Sequence, residues 1–147
     1  MKHIPTIAGA LLGLLFVFAG LVVLFDQVPP QEPPPPDSAK AHFFAAFGAT
    51  GYLKFVKVLE VLGGLLVAIP RTRGLGLLVL GPIIVNILAF WIFVDGTGLA
   101  ALSDPMLAGV CVLALYLLYV ERAAFLGLLR RATSAAETDP PRAVAAP

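Results

Sequence analysis

An all-α membrane protein, with four helices crossing the bilayer as one bundle and both termini cytoplasmic, is the architecture this sequence predicts. Three observations carry it. The first is composition. Hydrophobic residues make up 59% of the 147 and charged residues 13%, with a mean hydropathy of +0.94. A soluble domain is about 45–50% apolar and about 25% charged, and a soluble fold this small has too much surface to cover with so few polar side chains. The second is the length and continuity of the apolar runs. Every backbone polar group in lipid needs an internal partner, so only helices and closed barrels cross. Barrel strands would read as about ten alternating residues, and these runs are longer and unbroken. The third is that Lys and Arg gather on alternate connections.

The first predicted helix covers residues 4–25. Lys2 precedes it, as in a signal peptide, but the apolar run is too long and Phe25–Asp26–Gln27 offers no small-residue cleavage site. Gly9 and Gly13 form a GxxxG pair and Gly20 follows seven residues later, giving one face on which another helix can approach closely. The connection QVPPQEPPPPDSAK holds six prolines and favours a stiff, extended polyproline II spacer. The stretch 40–50, rich in Ala and Phe, suits an interfacial helix leading into the second crossing.

The second helix is expected over 43–69. It carries Lys54, Lys57 and Glu60 at intervals of three, and the adjacent Gly63 and Gly64 are further packing candidates. The third covers 75–94, with Pro82 and Asn86 inside it and Phe90, Trp91 and Phe93 at its outer end as an aromatic belt. In the connection DGTGLAALSDP, Asp104 is placed to cap the fourth helix and Pro105 to open it. The run 106–120 is short for a crossing of about 20 residues. The helix is therefore expected to continue past Glu121 and Arg122 to about 129, with the Arg122 side chain reaching the headgroups. Residues 1–131 form one domain, and 132–147, built of Ala, Pro and polar residues, is expected to be a disordered tail.

Orientation follows from charge. Lys2, Arg71, Arg73, Arg122, Arg130 and Arg131 flank one side. The other two connections hold Asp26, Glu32, Asp37, Asp95 and Asp104, with Lys40 as their only cation. The rule that positive residues stay inside then puts the N-terminus, the 71–73 turn and the C-terminus in the cytoplasm.

The same composition excludes several functions. A net charge of +1 with no basic patch offers nothing to nucleic acid. Cys111, the single cysteine, sits in an apolar run as a small hydrophobe and leaves no disulfide or CxxC pair. His3 and His42 fall near opposite membrane faces and cannot share a haem. No metal site, P-loop or dinucleotide fingerprint is present. What remains is the polar set inside the apolar runs: Lys57, Glu60 and Asn86, with Lys54 nearby. Glu60 and Asn86 are expected at similar depth, with Lys57 paired to Glu60 and Asn86 satisfying what is left. Two readings stand: a buried polar site that binds a quinone headgroup or relays a proton, and an internal ion pair that fixes helix register. Quinone is the one cofactor this set leaves open. The bilayer is the evident partner, and self-association through a helix face is a second.

The stretch GYLKFVKVLEVLGGLLVAIPR (51–71), followed by GPIIVNILAFWIF (81–93), resembles the DoxX family of small four-helix membrane proteins, and IAGALLGLLFVFAG fits that family's first helix. The likeness runs from residue 4 to about 125 and is specific at E-x-x-G-G-L-L and P-I-I-V-N. Val23 stands where the family often has a lysine, and Trp91 where it often has a histidine, so chemistry resting on those two positions has no matching residue here. The resemblance implies a bacterial or archaeal inner-membrane subunit associated with redox complexes, its family names pointing to thiosulfate:quinone oxidoreductase, terminal quinol oxidase and oxidative-stress complexes. It implies an accessory or quinone-contacting subunit of such a complex, alongside other subunits. A small solute carrier or channel using Lys57, Glu60 and Asn86, and a purely structural scaffold, are the competing expectations.

Overall fold

The computed structural model describes residues 3–137, with side chains described through residue 127. Lys2 and residues 138–147 of the expected tail lie outside the described residues. Within them the chain is helical: α1 (Ile4–Leu24), α2 (Ala39–Ala49), α3 (Tyr52–Ala68), α4 (Arg73–Ala89) continued by a π-turn (Phe90–Val94), a 3-10 turn (Gly98–Ser103) and α5 (Pro105–Glu137). Three of these stretches, Ile4–Leu24, Arg73–Val94 and Pro105–Gly127, are long and apolar enough to cross a membrane, as in a helical membrane protein.

Local chemistry sets the ends. Helix α1 closes where Asp26 takes a left-handed conformation (φ 53°). The Gln27 N–H then donates to the Val22 carbonyl (2.8 Å) and the Asp26 N–H to that of Val23 (3.2 Å). This is the Schellman closure usually built on glycine, here with aspartate, whose short polar side chain tolerates that region. Ser38 caps α2, its hydroxyl accepting the Ala41 N–H at 3.1 Å. Ile69 is extended (ψ 120°) before Pro70, as the proline ring requires. The Thr72 hydroxyl donates to the Leu66 carbonyl at 2.8 Å and so satisfies an orphan acceptor at the end of α3. Asp104 accepts the Leu107 N–H at 2.8 Å, the capping role its position predicts.

Two expected elements differ. The helix predicted over 43–69 is two helices. Gly51 stands between them at φ 74° and ends the α2 direction, so Phe43, Phe44 and Phe47 belong to α2. The expected tail is helical through Glu137, because α5 continues past Arg130 and Arg131 rather than stopping near 129.

Helix α3 is the centre of the bundle. Its two adjacent glycines face two different helices, which is why both neighbours come close. A Cβ on Gly64 would sit 2.9 Å from the Gly13 carbonyl of α1, and one on Gly63 would sit 2.7 Å from Leu80 of α4. Along α1, Gly9, Gly13 and Gly20 meet Val67, Gly64 and Val61 of α3 in turn. That descending order makes the pair antiparallel, with small residues giving backbone-to-backbone approach. Helix α4 returns along the other side, Gly76 lying against the Val67 backbone. Leu12, Phe16, Val67, Leu80, Ile84 and Leu117 fill the core.

Candidate functional site

The charged residues of α3 separate by depth and by side. Glu60, on the face that also carries Gly63, Gly64 and Val67, is 2% exposed. Lys57, one turn toward the start of α3, stands beside it with a side chain 25% exposed. Its Nζ donates to both Glu60 oxygens at 2.8 Å. An i, i+3 spacing on one helix makes this reach easy, and the buried carboxylate thereby keeps a compensating charge, without which its burial would be very costly. An ammonium carries three N–H donors. Two are engaged by Glu60, and among the described residues no acceptor takes the third.

Asn86 does not join them. The pairing of Gly63 with Leu80 and of Val67 with Gly76 carries Asn86 to the depth of Lys57, but on the wrong side. The core face of α4 is Arg73, Gly76, Leu77, Leu80 and Ile84. Asn86 follows Ile84 by two residues, about 200° round the helix, and is exposed. Spacing predicts Asn86 level with Glu60; the helix pairing sets it one turn away, level with Lys57, and its direction depends on which face of α4 packs on α3. Lys54 is also apart: 62% exposed, it lies 3.8 Å from Asp26 at the end of α1.

A second buried charge was read from the sequence only as a turn cation. Arg73, the first residue of α4, is 5% exposed, and its Nη1 donates to Glu121 of α5 at 3.2 Å. Its Nε and Nη2 are buried without a partner among the described residues. They lie over Gly9, where a Cβ would come within 3.0 Å of Nε. So Gly9 serves two neighbours, the α3 backbone and this guanidinium. The available signal was Glu121, a lone carboxylate in an apolar run at the same end of the bundle as Arg73.

At the other end, α2 packs against the π-turn and the start of α3. Lys40 bonds Asp95 at 2.6 Å and stands 6.0 Å from the Trp91 ring centre. Phe43 and Phe44 pack on Phe90, with ring centres 5.0 and 5.7 Å away. The hydrogen bond from Lys40 is the main cause that holds the Asp95 carboxyl below its ordinary 3.8. The Thr97 hydroxyl adds to it and desolvation opposes it. The aromatic belt thus has a partner helix, and Phe90 is packed within the chain. Among the described residues no group of three His, Cys, Asp or Glu comes together to hold a metal.

No protein-family model matches the chain, and no solved structure does. It is 32% identical over 135 residues to the uncharacterized protein YwoB of Bacillus subtilis strain 168, an alignment spanning 88% of this chain and 84% of that protein.

Proposed function

The chain belongs to the family of the uncharacterized Bacillus subtilis protein YwoB, and from that premise and the geometry above we propose that it is an accessory subunit of a quinone-linked membrane redox complex. The DoxX-like segments support the class. The observation that carries the reading is the Lys57 ammonium, held in place by a buried carboxylate and with one donor to spare on a partly open side. A quinone carbonyl is the acceptor a bilayer supplies at that depth, and when bound it would bring two-electron, two-proton redox chemistry. Lys57 would orient that carbonyl, and Glu60 would hold the ammonium in place.

In this reading the protein is a four-span bundle of a bacterial or archaeal inner membrane, with both ends cytoplasmic. Helix α3, with 17 residues, is shorter than the stretches Ile4–Leu24, Arg73–Val94 and Pro105–Gly127. At a rise of 1.5 Å it is about 25 Å long, and it runs antiparallel along α1 and α4 through the same depth, so it crosses where they cross. Arg71, Arg73 and Arg122 fall at one end and Asp26, Asp95 and Asp104 at the other, which supports the orientation.

The test is extraction from the native membrane in mild detergent, followed by mass spectrometry of co-purifying subunits and quinone. Wild-type protein is expected to bring quinone with it. The charge-neutral pair Lys57→Met with Glu60→Gln is expected to fold and to lose it. Equal quinone in both preparations, or none with the wild type, overturns the reading.

A further inference from the structure

We propose that two copies of this chain associate through the outward face of α4, with Asn86 of one copy hydrogen-bonded to Asn86 of the other across a two-fold axis along the membrane normal. The inference rests on α4 crossing the bilayer and does not depend on any quinone. Asn86 lies inside the apolar stretch Arg73–Val94, eight residues from its outer end, about 12 Å along the helix. It is exposed there, on the side of α4 away from the core, among Leu75, Leu78, Pro82 and Val85. No hydrogen bond among the described residues uses its amide. A primary amide facing hydrocarbon with its donors and acceptor unmet is costly, and polar side chains so placed draw membrane helices together.

Proline adds to the case. Pro82 has no N–H, so the Leu78 carbonyl one turn away lacks its normal helical donor. The outward face therefore carries an amide and a freed carbonyl within about a turn of each other.

The chemistry selects the occupant. An amide offers both donors and an acceptor, so it is met in full by another amide at the same depth. Two copies inserted the same way round a two-fold axis bring identical residues to identical depth, and an isologous contact supplies that amide without any second protein. Each N–H···O=C bond made by one copy is returned by the other. A ligand carbonyl would meet only the donor side.

The experiment is dimerisation in liposomes reconstituted from purified protein, with neither quinone nor other subunits present, read as the dimer fraction over a range of protein-to-lipid ratios. Wild type is expected to dimerise, and Asn86→Leu to need at least about tenfold more protein in the membrane for the same dimer fraction. Asn86→Gln, which keeps the amide, is expected to stay close to wild type. In a Cys111→Ala background, Asn86→Cys is expected to form disulfide dimers in those membranes, and Leu77→Cys, on the core face, is not. Equal dimer fractions for wild type and Asn86→Leu, or a monomer at every ratio, overturns the proposal. Loss of dimer together with retained quinone in the native extract leaves the function standing, and the reverse result leaves the dimer standing.

Discussion

At the scale of single residues, the ion pair on α3 is asymmetric. Glu60 is enclosed and Lys57 is partly open, so removing the lysine strands a carboxylate that nothing else neutralises. Lys57→Met is expected to destabilise the protein by about 3 kcal/mol, in the range for breaking a buried pair. Adding Glu60→Gln is expected to recover most of that loss, because two neutral side chains leave no stranded charge. Thermal denaturation in detergent of the two single variants and the double one measures this. A double variant less stable than Lys57→Met alone would contradict it. Arg73 poses the opposite arrangement, with the cation enclosed and Glu121 the more open partner. Glu121→Gln would therefore leave the guanidinium with no anion, and it is expected to be costlier than a substitution of exposed Arg122, which rests on the Tyr119 ring 3.9 Å away.

At the scale of elements, the seam between α1 and α3 is set by missing side chains. Gly13 lies with the Gly64 carbonyl so near that any Cβ would overlap it, and Ala68 stands 2.9 Å from the same point. Backbone cannot rotate aside as a side chain can, so Gly13→Ala is expected to cost about 1–3 kcal/mol. Gly127→Ala, with open space around it, is expected to cost nothing measurable. Equal melting temperatures for the two variants would remove the seam from the account. The docking of α2 has an aromatic part, Phe43 and Phe44 on Phe90, and a polar part, Lys40 on Asp95, which depends on pH. Asp95 titrates below 3.8 in the folded protein because Lys40 holds its charged form. The stability it adds is thus fully present above 3.8 and is lost as pH falls through the lowered folded value. Trp91 is the only tryptophan and sits beside Lys40, so its emission reports this contact. It is expected to stay constant from pH 8 to 5 and to shift only below about 3.8. Asp95→Asn is expected to show the shifted spectrum already at neutral pH, and an unshifted spectrum in that variant would refute the assignment.

At the scale of the whole molecule, the placement of Lys and Arg predicts one topology, with both ends cytoplasmic. Reporter fusions after Phe25 and after Asp95 are expected to read as external, and fusions in the 71–72 turn and at the C-terminus as cytoplasmic. Arg71, Arg73 and Arg122 gather at one end, while Lys40 and Lys54 at the other end are matched by Asp95 and Asp26. A cytoplasmic reading after Asp95 would leave α4 outside the bundle's crossing set. In this predicted topology Arg73 counts toward the inner side although its side chain is buried against Glu121 and Gly9, because the rule weighs placement at one end of the bundle.

Apolar length, glycine spacing and charge placement were legible in the sequence because each is a local property. They determined helices rather than strands, the Gly9–Gly13–Gly20 face, the capping by Asp104, and the reach of Lys57 to Glu60 along one helix. The break at Gly51 was locally written but hidden by an apolar run that continues through it. Three things belonged to the tertiary structure alone. Gly63 and Gly64 point to different neighbours, and Gly76 on α4 meets the Val67 backbone, which fixes the side of α4 that packs on α3. That choice turned Asn86 outward, and the pairing of α3 with α4 set it level with Lys57 rather than with Glu60. Arg73 and Glu121, 48 residues apart, met only because α4 and α5 end side by side. Periodicity gives the face of one helix relative to itself. Which face meets which neighbour depends on where backbones can touch, and only the assembled helices decide that.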